Sequence, residues 1–301
     1  MTRLFFLMLS KNKLLNHLAK KFGLQFGAKQ VIAGTTLEEA RKIIEHLNEQ
    51  GFLVTVDHLG EFVTTREEAL QATVTCLEML EKINKHHLKS QLSIKLTQLG
   101  LSISPQFCYE NVRKIVMAAE RSSNFVCIDM ESSDYCQDTI TLLESLRNEF
   151  PDTVGTVIQA YLFRAKSDIQ HLKGARLRLV KGAYKESKAI AFQTKEEIDV
   201  QYFERIKEHL REGEFTAIAT HDHRIIEKVK IYCFKERIPR HKFEFQLLYG
   251  FRESLQRELV KQGYQVRIYV PYGNDWFAYF MRRLAERPQN VSFALKGFLG
   301  K

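Results

Sequence analysis

Eight short β-rich runs, separated by stretches suited to helices, restrict the fold of this chain more than any other feature. Alternating strands and helices predict a parallel sheet with right-handed crossovers. Eight such units in 301 residues favour a closed (βα)8 barrel over an open doubly wound sheet, and no G-x-G-x-x-G turn follows the first run. The runs begin at Phe52, Leu92, Phe125, Gly155, Ala175, Thr216, Phe243 and Val266.

Helix boundary signals occur between these runs. Thr36 precedes Glu39 as an N-cap would, Ser104 precedes Pro105 at a first turn, and Gly263 follows a predicted helix end. We therefore expect an α/β protein with an N-terminal helical segment at 1–50 and a (βα)8 catalytic barrel at 51–301. Helices are predicted over 36–50, 66–84, 105–121, 134–150, 196–212, 223–235, 252–262 and 275–285.

The composition of the chain excludes several classes of protein and partner. A hydrophobic content of 45% supports a large core and excludes disordered and fibrous proteins. Five cysteines without a C-x-x-C pair predict neither a disulfide framework nor a zinc-cysteine site, so we expect a reducing, cytoplasmic compartment. A net charge of +9 suits nucleic acid, an anionic membrane or an acidic ligand. Because the basic residues are dispersed and no recognition module is present, we expect no nucleic-acid partner.

The N-terminus suggests a membrane surface as one partner. Leucines and phenylalanines at 4–18 are interleaved with lysines at 11–21, as in an interfacial amphipathic helix. An ordinary helix that covers one end of the barrel accounts for the same pattern. The apolar run at 4–9 is short for a signal peptide, and no segment approaches the roughly 18 apolar residues of a spanning helix, so we expect a soluble chain.

Polar side chains at the carboxyl ends of the strands point to an enzyme. A buried charge requires a partner, so such residues are poor choices for strands that only need to be buried. In a closed barrel these strand ends surround one mouth, where the chemistry of (βα)8 enzymes lies. The residues expected there are Lys95, Asp129, Gln159, Arg178, Lys181, His221, Gln246 and Tyr269.

The last predicted helix adds a second polar group. Tyr279, Arg282, Arg283 and Glu286 follow i, i+3, i+4, i+7 spacing and share one helix face. Two adjacent guanidinium groups can grip a carboxylate in bidentate fashion, and Glu286 can orient one of them. A solvated charged face is the simpler alternative, but the preceding YVPYGNDW segment at 269–276 favours a site.

Other functions fit parts of the pattern. The HDH segment at 221–223, with Asp57, His58 and Asp129, could hold a metal as in amidohydrolase-like barrels. In those barrels, however, H-x-H usually marks the first strand, and here it ends the sixth. Lys95 or Lys181 could form a Schiff base. A non-enzymatic basic protein that binds surfaces would explain the charge but not the strand ends.

Six segments in series resemble the proline dehydrogenase family. The resemblance starts near Asp57 and runs to about Phe293, in the order of the family and over most of the chain. The segments are LSIKLTQLG (92–100), IDMES (128–132), IQAYL (158–162), RLVKGAY (178–184), FEFQLLYG (243–250), and YVPYG (269–273) followed by YFMRRLAERP (279–288).

The resemblance implies a distorted (βα)8 TIM-like barrel with N-terminal helices that binds FAD without a covalent bond and holds no metal. It implies oxidation of L-proline to Δ1-pyrroline-5-carboxylate by hydride transfer to flavin N5, the first step of proline catabolism to glutamate. Electrons would pass to a quinone-type acceptor, so a peripheral contact with the inner face of the plasma membrane is compatible with a cytoplasmic protein. No room for an aldehyde dehydrogenase domain is expected, as in monofunctional bacterial members.

The resemblance also implies roles for individual residues. Asp129 and Arg178 match the catalytic positions, with Arg178 facing the flavin and Asp129 doing electrostatic and orienting work. Glu61 matches a position whose carboxylate pairs with Arg282, and we expect this pair to close over proline as a gate. The residues expected to bind proline are Lys95, Arg282 and Arg283 at its carboxylate, with Leu179, Tyr184, Tyr269, Tyr279 and Glu286 around them. The residues expected to bind FAD are Met130, Gln159, Arg178, Lys181, Gly182, Ala183, Thr220 and His221.

Overall fold

Eight parallel strands close into one barrel in chain order, with β1 paired to β8, in the computed structural model, which describes residues 28–286 and their side chains through Leu284. This confirms the predicted closed barrel. The strands are β1 (Leu53–His58), β2 (Ser90–Ile94), β3 (Val126–Ile128), β4 (Val154–Gln159), β5 (Arg176–Val180), β6 (Phe215–Ala219), β7 (Phe243–Leu248) and β8 (Val266–Tyr272).

Helices surround the barrel and agree closely with the predicted stretches. The exception is a seven-residue helix after β4, which was not predicted. Its N-cap Arg164 makes no side-chain capping bond, so the sequence carries little boundary signal there. The helices are α1 (Leu37–Glu49), α2 (Arg66–Lys85), α3 (Pro105–Arg121), α4 (Cys136–Glu149), α5 (Ala165–His171), α6 (Lys195–Glu212), α7 (His223–Lys235), α8 (Glu253–Lys261) and α9 (Trp276–Glu286).

Capping explains where several helices begin. The Thr36 hydroxyl accepts a hydrogen bond from the Glu39 amide, and the Glu39 carboxylate accepts one from the Thr36 amide. This capping box forms at the helix start predicted from Thr36. Ser104 caps α3 with Pro105 in its first turn, also as predicted. These local contacts fix where the two helices begin.

The two faces of each strand have different surroundings. In β5, Leu177 and Leu179 are 1% and 0% exposed and belong to the hydrophobic core, whereas Arg178 bonds Asp129 across the barrel. Because strand side chains alternate, Arg176 shares the inner face with Arg178. The core therefore lies between strands and helices, and the inside of the barrel is polar.

The described part of the chain holds no helix with the length and apolar character needed to cross a membrane. The amphipathic stretch predicted at the N-terminus lies outside the described residues. Helix α1 packs against β1 and β8, and the division into segments at 1–50 and 51–301 stays a prediction.

Candidate active site

Two cations and two carboxylates meet inside the barrel near the carboxyl ends of the strands. Lys95 Nζ donates to Asp57 Oδ2 at 2.8 Å and to Asp129 Oδ2 at 3.0 Å. Arg178 Nη1 donates to Asp129 Oδ1 at 2.7 Å, and the Tyr269 hydroxyl donates to Asp129 Oδ2 at 2.8 Å. We call Asp57, Lys95, Asp129, Arg178 and Tyr269 the charge cluster.

The barrel topology explains how residues so distant in sequence meet. Lys95 and Asp129 directly follow β2 and β3, and the Asp129 amide donates to the Ile94 carbonyl at 2.8 Å. Pairing of β1 with β8 brings Asp57 near Tyr269. Each member therefore reaches the cluster from a different strand, which is the usual construction of a site in a (βα)8 barrel.

The surroundings of Asp129 and Lys95 hold both groups in their charged forms. Burial opposes ionisation of Asp129, but Lys95 and Arg178 outweigh it and lower the pKa of the Asp129 carboxyl well below its ordinary value. Burial also disfavours the charged form of Lys95, yet Asp57, Tyr269 and Asp129 raise the pKa of its ammonium. Because a Schiff base requires a neutral amine, Lys95 is poorly suited to that chemistry.

An ion pair crosses the rim above the cluster. Arg282 donates from Nη1 to Glu61 Oε2 at 3.0 Å and from Nη2 to Glu61 Oε1 at 2.8 Å, which is the bidentate geometry that guanidinium and carboxylate prefer. Arg283 lies beside it on α9, with its Cζ atom 5.2 Å from the centre of the Tyr279 ring. The side chain of Glu286, at the end of α9, lies outside the described residues.

A second charged group surrounds Lys181. Its ammonium donates to Asp222 Oδ2 at 3.1 Å and to Asp199, which also pairs with Lys195. Burial would raise the pKa of Asp222, but the hydrogen bond and charge of Lys181 lower that pKa to about 2. Lys181 is thus anchored by two carboxylates just beyond β5, with its own side chain about one quarter exposed.

The other residues expected to bind a cofactor lie near the same strand ends. Met130 and Thr220 are buried, and Gln159 Nε2 donates to the Glu131 carbonyl at 2.9 Å. His221 Nε2 accepts from the Leu248 amide at 3.0 Å, so this nitrogen already has a partner. Within residues 28–286 no group of three His, Cys, Asp or Glu side chains is arranged to hold a metal. The amidohydrolase interpretation is therefore not favoured.

Three further residues that were expected to bind substrate or cofactor differ in their burial. Leu179 is fully buried in the hydrophobic core, and alternation along β5 places its side chain opposite to that of Arg178. Tyr184 is half-buried and accepts a hydrogen bond at its carbonyl from the Tyr161 hydroxyl at 3.3 Å. Ala183 is exposed. Their contacts with substrate or cofactor stay predictions.

The resemblance to the family gave no role to Asp57 or Ser93. Asp57 is 1% exposed and pairs with Lys95, while the Ser93 hydroxyl donates to Asp129 Oδ1 at 2.7 Å. Asp57 is the next-to-last residue of the first β-rich run, so its position carried a signal. The partner of that carboxylate, however, depends on how the closed barrel aligns β1 with β2.

Gly182, in the turn after β5, has a backbone that only glycine adopts easily. Its φ is +119°, and an added Cβ would lie 2.2 Å from the Tyr161 ring. We expect Gly182→Ala to lower the free energy of unfolding by about 2 kcal/mol more than Gly174→Ala. Gly174 is a matched control because its φ is +76° but the nearest atom to an added Cβ is 3.9 Å away.

Urea unfolding of both variants measures this difference. Equal losses of stability in the two variants would show that the clash with Tyr161 is relieved at little cost. A larger loss for Gly182→Ala would show that close packing against the Tyr161 ring constrains the turn that follows Lys181.

A closed parallel barrel with buried charged groups at its strand ends defines the chain as a (βα)8-barrel enzyme. Residues 40–296 match the family model described as proline dehydrogenase. The chain belongs to the proline dehydrogenase family.

Two sequence relatives and one solved structure match most or all of this chain. Proline dehydrogenase 1 from Bacillus subtilis subsp. natto is 46% identical over 303 residues, covering 100% of both chains. Proline dehydrogenase from Deinococcus radiodurans is 36% identical over 278 residues, covering 90% of each. Proline utilization A from Bdellovibrio bacteriovorus, solved after inactivation by N-propargylglycine, has a TM-score of 0.80 at 27% identity. It aligns with 86% of this chain, which spans 32% of that larger protein.

Proposed function

We propose that this proline dehydrogenase carries out FAD-dependent oxidation of L-proline to Δ1-pyrroline-5-carboxylate. The observation that carries the proposal is the buried charge cluster at the carboxyl ends of the strands, in a member of this family. Fixed charges in a water-poor site position a small charged substrate without reorganising during the reaction. The substrate loses a hydride from carbon and a proton from nitrogen, which leaves a carbon-nitrogen double bond.

The residues at the mouth fit FAD by the chemistry of their donors. Arg178 Nε and Nη2 are buried and make no hydrogen bond within the described part of the chain, so the guanidinium retains donors for acceptor atoms of a flavin. Lys181 supplies a cation and Gln159 an amide, while Met130, Gly182, Ala183, Thr220 and His221 complete the proposed contacts. Bound FAD would supply the two-electron acceptor chemistry, and Arg178 would place its positive charge beside it.

Proline would be held by its carboxylate. We assign this contact to Lys95, Arg282 and Arg283, because guanidinium forks and an ammonium match carboxylate oxygens. The Lys95 ammonium has three donors: two bond Asp57 and Asp129, and the third makes a longer contact of 3.4 Å with the Tyr269 hydroxyl that a proline carboxylate would replace. Leu179, Tyr184, Tyr269, Tyr279 and Glu286 are the remaining residues that we assign to proline.

Asp129 keeps both cations of the site in place. It accepts from Lys95, Arg178, Ser93 and Tyr269, so its work is orienting and electrostatic in this proposal. Tyr269 is held neutral because burial raises the pKa of its hydroxyl, which therefore donates to Asp129 at neutral pH. This assignment separates the residues that touch proline from those that fix their positions.

The visible spectrum of the purified protein, taken without oxygen before and after addition of L-proline, tests the function. We expect a yellow protein with oxidised-flavin bands that bleach with L-proline and not with D-proline. A protein that refolds with added FAD but neither binds flavin nor bleaches would overturn the proposal. Bound zinc with no flavin would instead support the amidohydrolase alternative.

Glu61 and Arg282 are proposed to form a gate over bound proline. The bidentate pair orients Arg282 toward the mouth, with side chains 16% and 29% exposed. We expect Glu61→Ala to raise the KM for proline about tenfold with a smaller change in kcat, because Arg282 loses the contact that orients it. Steady-state dye reduction measures both constants.

Glu81→Ala is the matched control for the gate, since Glu81 is an exposed acid on α2 with the same charge change. Its kinetics should equal those of the unaltered enzyme. Unchanged KM and kcat in Glu61→Ala would reject the gate.

The electron acceptor proposed for this chain is a quinone, which places the enzyme at the start of proline catabolism to glutamate. Quinones are held in membranes, so a cytoplasmic enzyme that reduces them would contact the inner face of the plasma membrane peripherally. Reduction of a water-soluble quinone with proline, followed by flotation with anionic vesicles, tests both parts. If quinones do not reoxidise the enzyme after proline has reduced it, the proposal of a quinone acceptor is wrong.

A further inference from the structure

A cavity of about 430 Å³ opens at the amino-terminal end of the barrel, opposite to the charge cluster. The strand residues that line it stand at or near the starts of their strands, among them Leu53, Ser90, Arg176 and Arg267. We call this space the lower cavity. None of the residues assigned to proline or FAD lines it.

The lining of the lower cavity is basic. Arg176, Arg267 and Lys89 contribute positive charge, and no Asp or Glu lies among the described residues of the lining. Arg267 is already paired with Glu244, with its Nε atom 2.6 Å from Glu244 Oε1. Glu244 lies outside the lining, on the inner face of the barrel. The positive charge of the cavity is therefore carried by Arg176 and, at its exposed edge, by Lys89.

Arg176 is prepared to bind an anion. Its Cζ atom lies 4.3 Å from the ring centre of Phe125 and 4.8 Å from that of Phe215. Within residues 28–286 its guanidinium makes no hydrogen bond or ion pair, and burial lowers its pKa. Rings that cover the faces of a guanidinium leave its in-plane N–H groups to donate, and these donors match two oxygens of one anion.

We propose that the lower cavity is a binding site for a small oxyanion, a carboxylate or phosphate held by Arg176 with help from Lys89. Neutral polar groups such as Ser123 and Asn124 line the same space and offer further hydrogen bonds. Its volume admits an anion of a few heavy atoms together with water. The proposal does not depend on the oxidation of proline, because it concerns the opposite end of the barrel.

Isothermal titration calorimetry with inorganic phosphate and with succinate, at constant ionic strength, tests the site. We expect saturable binding by the intact protein, a loss of at least about tenfold in affinity for Arg176→Gln, and about threefold for Lys89→Gln. Lys85→Gln should bind as the unaltered protein does, since Lys85 is an exposed lysine of α2 outside the lining. It controls for the change in net charge.

If Arg176→Gln does not fold, the affinities of Lys89→Gln and Arg176→Lys test the proposal instead. Both variants keep a polar or cationic group at the site, so they are expected to fold. Affinity equal to that of the unaltered protein in Lys89→Gln and in the folded Arg176 variant would overturn the proposal. Absence of saturable binding of either anion would also overturn it. Binding lost in Arg283→Gln but kept in Arg176→Gln would place the anion at the other end of the barrel.

Discussion

Asp129→Ala is expected to lower the free energy of unfolding by about 3 to 5 kcal/mol, the range found when one partner of a buried ion pair is removed. The carboxylate accepts from both Lys95 and Arg178, whose side chains are 10% and 5% exposed. Its loss leaves Lys95 with Asp57 alone and leaves Arg178 without an ion-pair partner among the described residues. Proline-dependent dye reduction should fall about 100-fold, because the cations lose their common anchor. Urea unfolding and steady-state kinetics measure the two effects.

The stability of Asp129→Asn, measured at several pH values, separates the effect of the Asp129 charge from the effect of its shape. Since the folded-state pKa of Asp129 is lowered, its ionisation stabilises the fold above its unfolded pKa of about 3.9, and this contribution is lost as pH falls toward the folded value. The stability difference between the unaltered protein and Asp129→Asn should therefore shrink between pH 5 and pH 2. Asp152→Ala, an exposed loop acid, serves as control. A difference independent of pH would contradict a charged Asp129.

Lys95→Met is expected to lower the free energy of unfolding by a similar amount, about 3 to 5 kcal/mol, for a different reason. Asp129 keeps Arg178, but Asp57 is 1% exposed and loses the ammonium that Lys95 supplies. The second oxygen of Asp57, Oδ1, is buried and makes no hydrogen bond within the described part of the chain. Methionine fills nearly the same volume, so the loss reports the unpaired charge rather than a cavity.

The double variant Asp57→Asn/Lys95→Met tests this explanation. The double variant removes the buried negative charge of Asp57 that is unpaired in Lys95→Met. It should therefore recover at least half of the stability lost in Lys95→Met, with a coupling free energy of about 2 kcal/mol. Lys85→Met, at an exposed position on α2, should change stability little. A double variant that is less stable than Lys95→Met would show that Asp57 does not depend on Lys95.

The fold could be predicted from local patterns. Strand runs, capping residues such as Thr36 and Ser104, and the alternation of strands with helices all act over a few residues, and the barrel follows from their order. Helix α5 was missed because seven residues without a capping bond leave little periodicity to detect. The strand ends were placed correctly for the same reason, since Lys95 and Asp129 directly follow β2 and β3.

The contacts of the site could not be predicted, because they depend on alignment between strands. The resemblance assigned Lys95 to substrate, yet the structure pairs it with both Asp57 and Asp129. Gln246 was expected at the mouth, and it instead donates to Glu244 Oε1 at 2.6 Å inside the barrel. A sequence names the polar residues of the inner face, but only the closed sheet decides which of them neutralise one another.

Closure of β1 against β8 has a consequence for the newly made chain. A ribosome releases β8 last of the eight strands, so every earlier stage of synthesis leaves β1 with one unpaired edge. Such an edge is a template for strands of other molecules. Tyr269 also arrives with β8, so Asp129 gains this hydrogen bond only after the eighth strand has been made. We therefore expect the chain to be most prone to aggregation before its eighth strand has paired with β1.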